Sequence, residues 1–360
     1  MSQTIHFGEK FKASLMKYFA LKSVTEHAFN HSLDQEFVGS DIVHVFKIAT
    51  TKLNKYDKSV DPSSGSRFGK VQEVGDHKYT FRLTQDISLD RSVDRGNNDA
   101  QFNIKKVGAI MKAYTDERIR PEKDKYRLKK WVDEAGIHYE LPAEITKANI
   151  AEMVILVHNA MIEEGVPENE GTLYIARKYV PALKLAEEWV KLDSLGGKTL
   201  PKGAAPGEFD GLVVQPVSTR LFPVGCAFAI FHKDSIIAPE KINTFRGIKD
   251  SENMDGDRLQ FRLKHDAFVL PTLADGAAAA CEPGTVAATP TVSISGGKAT
   301  VSGPDGAVVY YTLDGSDPRY QSAEAKVYSA AVAVQSGDIF RCCAKVDGKW
   351  MSAATYNEVE

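Results

Sequence analysis

The sequence predicts an α+β protein built in two parts, and three observations carry that prediction. Over residues 1–275 apolar side chains recur with both the helical and the strand period. From Thr291 to Glu360 they alternate in period two between Gly and Asp-Gly turns, the pattern of a small all-β sandwich. Between the two, ADGAAAACEPGTVAATP (274–290) contains two prolines and no aromatic or basic residue, so 276–290 reads as a linker. At 360 residues the chain is long enough for two or three such units.

Along the chain, Glu9–Leu21 patterns as a helix. Ser23-Val24-Thr25-Glu26 has the form of a capping box, whose hydroxyl and carboxylate satisfy two orphan amides where a second short helix begins. Asp41–Ala49 (DIVHVFKIA) and His77–Leu83 (HKYTFRL) read as strands. The Lys-, Ser- and Gly-rich chain between them lacks the apolar residues to bury a face, and is expected to project as a mobile hairpin. From Asp99 to Arg120, Phe102, Val107, Ile110, Met111 and Tyr114 keep to one helical stripe. Pro121, whose missing amide is harmless in a first turn, opens a second helix to about Ala135. A third, Ala148–Glu164, gathers Ile150, Met153, Val154, Val157, Ala160 and Met161 on one face and is suited to anchor a central layer. Strands Thr172–Arg177, Leu212–Val217 and Cys226–His232, with a helix from Pro181, continue the alternation. Asn243–Ile248 and one long two-faced strand, Arg258–Leu270, close it.

Composition excludes several functions. With 45 basic and 48 acidic residues the net charge is −3, which gives the chain as a whole no electrostatic reason to bind nucleic acid. No apolar run reaches the roughly 20 residues that span a bilayer. Glu9, Lys10, Lys12 and Lys17 interrupt the N-terminus, which lacks a secretory core, so synthesis without export is expected. Cys226, Cys281, Cys342 and Cys343 have no CxxC or Cys/His spacing, and neither a disulfide framework nor structural zinc is expected.

Catalytic templates are also missing: GxSxG, HExxH, GxGxxG and the phosphate loop do not occur. Cys226 and His232 share a strand-like run and read as packing rather than as nucleophile and base. Asp86, Asp90, Asp94 and Asp99, interleaved by Arg91 and Arg95, read as a charge-paired connector and not as a metal site. Asp314-Gly315-Ser316-Asp317 resembles half of a calcium loop without its bidentate Glu, and reads as a tight turn. The basic run Lys123–Lys130 reads as a solvated helix face before a nucleic-acid surface. What remains is an arm and a hairpin, both poor in self-burial. Ordering them gains a monomer nothing, but the entropy is offset where neighbouring subunits supply the missing surface.

The order of those segments carries a resemblance. The arm, strand and hairpin, then Asp90–Asp99 (DRSVDRGNND), Arg120-Pro121-Glu122 and Asp124-Lys125-Tyr126-Arg127 resemble the major capsid proteins of tailed bacteriophages. Gly207–Leu212, Phe222-Pro223, Gly256-Asp257 and His265–Leu270 continue the similarity to about residue 275. The resemblance implies the Johnson fold shared with herpesvirus coats. It places an N-arm at 1–40, an extended loop at 50–80, a peripheral domain at 41–49, 81–139 and 241–275, and an axial domain at 140–240. It also implies hexamers and pentamers of this chain in an icosahedral head that encloses double-stranded DNA, contacted non-specifically. A separate scaffolding protein and a portal would serve assembly, in the host cytoplasm before the virion is complete.

The tail, 291–360, resembles the immunoglobulin-like module at the end of chitobiase-type glycosidases, through Val309–Pro318 (VYYTLDGSDP) and Val327-Tyr328-Ser329. That module is an accessory, so no enzymatic activity and no cofactor are implied. With eight acidic residues against six basic ones, it is expected on the outer surface, away from DNA phosphates. Tyr311, Tyr320 and Trp350 are its candidate contacts to host-surface glycans, against the commoner role of aromatics as core. Lys52, Lys55, Lys58, Arg67 and Lys70 are the candidate assembly residues of the extended loop. An isopeptide cross-link from its lysines would need an acid beside a desolvated amine. The competing reading is a carbohydrate-binding or hydrolytic protein with a terminal sugar-binding module.

Deleting Lys55–Lys70 is expected to leave a soluble, folded chain that no longer forms shells. Circular dichroism and sedimentation of the deletion variant check both halves of that expectation.

Overall fold

A computed structural model describes residues 22–32, 34–37, 40–48, 56–61, 65–69, 73–100, 106–186, 207–250, 252, 255–320 and 325–359. The helix expected at Glu9–Leu21 lies outside these residues. The first half of the body runs through β1 (Ile42–Ile48), β2 (Asp76–Arg82), β3 (Gln85–Asp94), α1 (Arg95–Ala100), α2 (Val107–Tyr114), α3 (Arg120–Asp133), β4 (Ile137–Glu140) and α4 (Ile150–Glu163). It continues through β5 (Gly171–Ala176), α5 (Val180–Lys184), β6 (Glu208–Phe209), β7 (Leu212–Val217), β8 (Cys226–His232), β9 (Ile236–Ile237), β10 (Glu240–Ile248), β11 (Gly256–His265), β12 (Phe268–Val269) and β13 (Ala277–Cys281).

A six-stranded mixed sheet, β4-β13-β8-β5-β7-β6, separates α3 from α4. Strand alternation divides its residues between the two sides. Tyr174, Ala229, Phe231 and Ala279 pack with Leu128, Trp131 and Val132 of α3. Leu173, Ile175, Phe228 and Ile230 pack with Ile150, Val154, Val157 and Met161 of α4. Because helices cover both faces, β8 is buried at every residue.

The segment expected as a linker is partly this sheet. Ala277–Cys281 is buried throughout, parallel to β4 and antiparallel to β8. Poverty in large side chains, which suggested a linker, here fits a strand pressed from both sides by α3 and α4. Gly136, at the turn into β4, approaches so closely that an added Cβ would lie 2.3 Å from the Ala274 carbonyl oxygen, so no larger residue fits.

The chain stays helical across the expected break at Pro121. Residues Thr115–Ile119 form a π-helical turn joining α2 to α3, with Pro121 in the first turn of α3. The stripe of α2 is only half-buried, and Phe102 lies outside the described residues.

The run Lys123–Lys130 is not a solvated face, because Lys123, Asp124 and Arg127 point inward, 8, 2 and 1 % exposed. Lys123 Nζ donates to Glu26 at 2.6 Å and to Glu240 at 2.7 Å, and Arg127 Nη2 donates to Glu240 at 2.7 Å. Asp124 accepts from the Ser23 hydroxyl (2.6 Å), the Val24 amide (3.0 Å) and the Thr25 hydroxyl (2.7 Å). The capping-box residues therefore start no helix: their hydroxyls bind Asp124 and the Glu26 carboxylate meets Lys123 and Arg127. At the next turn of α3, the Tyr126 hydroxyl donates to buried Asp266 at 2.6 Å, which also accepts from the amide and hydroxyl of Thr84. Asp266 splits the expected long strand into β11 and β12.

The remaining body strands form a hairpin, β1-β2, in register from Ile42↔Arg82 to Ile48↔Asp76, a three-stranded antiparallel sheet, β10-β11-β3, and a short antiparallel pair, β9-β12. C-terminal to them, β14 (Thr291–Ser295), β15 (Lys298–Ser302), β16 (Val308–Thr312), β17 (Lys326–Val327), β18 (Val332–Ala333), β19 (Ile339–Lys345) and β20 (Asn357–Glu358) make two sheets, β14-β15-β18 and β17-β16-β19-β20. They enclose a core of their own around Val309, Phe340, Cys342 and Ala344. This is the expected small all-β sandwich.

Val157→Asp or Met153→Asp is expected to abolish soluble expression, since an unpaired charge on the buried face of α4 costs several kcal/mol, about 3–5. Asp124→Ala is expected to lower stability by about 2–3 kcal/mol, because three donors lose a charged acceptor, and to open Ser23–Asn30 to protease. Thermal denaturation and limited proteolysis check it.

Candidate assembly surfaces

The hairpin has two unlike faces. Val43, Val45, Tyr79, Phe81 and Leu83 turn to the body against Phe37, Ile237 and Phe268. Ile42, Phe46 and Ile48 point away, 42, 61 and 67 % exposed, so apolar side chains alternate onto a face left open among the described residues. Opposite them, Arg82 pairs with Ile42 and Lys78 with Phe46 in register. Of the predicted loop residues, Lys58 and Arg67 are described. Lys58 is exposed, and Arg67 Nε donates to the Val60 carbonyl at 2.8 Å while its own carbonyl accepts from the Asp57 amide. Tyr56 and Phe68 meet edge to face at 5.0 Å between ring centres, both at least half exposed. Lys52, Lys55 and Lys70 lie outside the described residues, so the five are not seen together.

The acidic run of β3 pairs across the sheet and not within itself. Arg258 Nε lies 2.8 and 3.0 Å from the two carboxylate oxygens of Asp90, and Arg262 pairs with Asp86 at 2.7 Å. Arg95 binds Asp250 and Asp255, and Asp94 caps the Asn97 amide. Beside them Asp41 holds Lys241 at 2.7 Å and Lys264 at 2.5 Å. Hydrogen bonds from Lys241 and Lys264 bring the Asp41 carboxyl down to about 2, and those from Arg258 and Gln260 do the same for Asp90. Pairing partners this remote in sequence leave no local signal, which is why the residues alone suggested only a connector.

The groups with catalytic residue types serve the fold. Cys226 is buried, its thiol pKa pushed well up by desolvation, and its Sγ donates to the Phe228 carbonyl. Among the described residues, Glu170, His232 and Asp234 bring three donor side chains within 4.8 Å of one another. His232 Nδ1 accepts from the Asp234 amide and the Asp234 carboxylate accepts from Asn30 Nδ2, contacts that hold the N-terminal segment to the turn after β8.

In the sandwich, Asp314 builds the expected tight turn, its Oδ1 accepting from the amide and hydroxyl of Ser316. Of the glycan candidates, the rings of Tyr311 and Trp350 are engaged in contacts within the chain. Tyr311 stacks on core Phe340, 5.6 Å between centres and 14° between planes. Tyr320 ends a 3-10 turn, Pro318–Tyr320. Trp350 leaves its own sandwich and packs on the body: its ring stacks on His138 at 5.9 Å and 10°, and Nε1 donates to Asp133 at 3.2 Å. Its backbone pairs with Thr285 and Ala287, and burial first of all lowers the His138 imidazole to about 4, so the stacked ring is neutral. Arg319 reaches the Gly136 carbonyl, and Asp314 Oδ2 lies 3.1 Å from His77 Nδ1 on β2. Arg319, His138 and His77 were missed by sequence reading, since nothing local marks a contact between parts so far apart in the chain.

With this geometry in hand, likeness to known proteins falls into two parts. Residues 281–357 match the family described as Chitobiase/beta-hexosaminidase C-terminal domain. No curated protein matches the chain in sequence. The bacteriophage PhiM1 mature capsid is similar in structure at a TM-score of 0.59 and 13% identity, covering 77% of this chain and 92% of that one. The capsid of cyanophage P-SCSP1u is similar at 0.56 and 9% identity, over 77% of this chain and 93% of that one. The acid-stable capsid of Helicobacter pylori bacteriophage KHP30 follows at 0.52 and 9%, over 76% and 94%. The chain therefore has the fold of bacteriophage capsid subunits, the Johnson fold expected from its segment order, and carries at its C-terminus an immunoglobulin-like domain of the chitobiase type.

Proposed function

We propose that this protein is the structural subunit of a phage head and has no enzymatic role. The observation that carries the reading is a capsid fold extending over three quarters of the chain and nearly the whole of the capsid chains it resembles. The hairpin supports it, since among the described residues Ile42, Phe46 and Ile48 form an exposed apolar face suited to a neighbouring subunit. Hexamers and pentamers of the chain would close an icosahedral shell around double-stranded DNA, with a scaffolding protein and a portal acting during assembly in the host cytoplasm. In this reading Lys58, Arg67 and their neighbours Lys52, Lys55 and Lys70 bridge subunits from the extended loop.

The body extends through Cys281, and the connection to the sandwich shortens to residues 282–290. The acidic composition of the sandwich favours the outer surface of the shell. A glycan-contact role gains nothing from Tyr311 and Trp350, whose rings are committed to protein contacts.

Expression of the full chain is expected to give very large particles of uniform size in sedimentation and negative stain. A chain that runs only as a small oligomer contradicts the capsid reading.

A further inference from the structure

We propose that the C-terminal domain is a brace that fixes the root of the β1-β2 hairpin to the corner between α3 and β4. The corner is the rigid end of the link. Trp350 lies flat on His138 with its indole nitrogen on Asp133, and Arg319 binds the carbonyl of Gly136 from 6 % side-chain exposure. These contacts fall at the end of α3, around the turn and on β4, which is paired to the buried strand β13.

The other end is the turn at Asp314. Ser316 donates twice to Asp314 Oδ1, and the Thr312 hydroxyl donates to the Ser316 carbonyl at 2.6 Å, so the turn is held from within. That leaves Asp314 Oδ2 to meet His77, the second residue of β2, whose register partner on β1 is Lys47. A cleft of about 200 Å³ separates the two elements, with Lys47, Ile48 and Tyr79 on the hairpin side and Asp314, Ile339 and Arg341 on the domain side. Burial, then the carboxylates of Asp314 and Asp317, raise the pKa of the Tyr79 phenol, as expected if the domain sits over this strand.

Without the domain, the hairpin grips the body through the contacts of Val43, Val45, Tyr79, Phe81 and Leu83. The root, at Ile48 and Asp76–His77, lies where the chain leaves for the loop, so fixing it sets the direction in which the loop departs. That consequence rests on the reading of the loop as an assembly element, whereas the brace itself does not.

Hydrogen exchange on the soluble full-length chain tests it. Trp350 stands outside the sandwich core, so Trp350→Ala is expected to leave β16 and β19 protected, to expose residues 282–290 to protease and to speed exchange at Ile48 and Asp76–Lys78 roughly tenfold. His77→Ala, which removes the hairpin's side of the link, is expected to speed the same hairpin amides while 282–290 stays protected. Hairpin exchange unchanged in both variants overturns the brace, as does a Trp350→Ala domain that stays docked. A wild-type chain that never forms particles would refute the capsid reading and leave the exchange result standing.

Discussion

The rest of the body depends on the charges that α3 carries inward. Lys123, Asp124 and Arg127 cannot be left unpaired at that depth, because a buried charge without a partner costs several kcal/mol, about 3–5. Their partners come from remote segments: Ser23, Val24, Thr25 and Glu26 before the first strand, and Glu240 at the start of β10. Tyr126 on the same helix holds Asp266, which in turn holds Thr84 ahead of β3. One helix thus fixes where the N-terminal segment enters and where the outer three-stranded sheet begins and ends. An apolar helix would stabilise a core as well, but it would tolerate slippage. A set of directed hydrogen bonds admits one arrangement.

The surface charges work differently. Asp86 and Asp90 on the outer sheet, and Asp41 just ahead of β1, form pairs that solvent screens, and each contributes little to stability. Their carboxyl groups are held below the ordinary range by hydrogen bonds from Lys and Arg, so they remain charged in all but strongly acidic solution. In the proposed shell, this face of paired, exposed charge and the apolar face of the hairpin would give the subunit two kinds of contact surface. The apolar one would supply area to bury and the charged one register and orientation.

The sequence was legible where burial follows a period. The stripe of α4 and the fully apolar β8 report their own environment, because helix or sheet packing repeats along them. It was not legible where the same residue types serve a remote partner. Ser23 to Glu26 satisfies the capping pattern, yet its hydroxyls are taken by Asp124 a hundred residues on. Lys123–Lys130 reads as a solvated face until Glu26 and Glu240 are brought to it. Ala277–Cys281 has the composition of a linker, and becomes a core strand only because β4 and β8 flank it. In the candidate sites the same limit applies: Lys58 and Arg67 fall on the expected projecting loop, while the pairing of Asp90 with Arg258 is a property of strand register.

Trp350 shows why the accessory domain was the hardest part to read. An aromatic residue in a small sandwich has three uses: core, ligand platform, or anchor against another unit, and all three present the same letter in the sequence. Tyr311 takes the first, flat against Phe340. Trp350 takes the third, because β13 ends only a few residues before Thr285, and the backbone pairing of Thr285 and Ala287 with Trp350 lays its segment along the exit from the sheet. The connection is too short and too well paired to act as a tether. The domain is consequently built against the body where the chain leaves it, and its turn at Asp314 reaches the hairpin at His77.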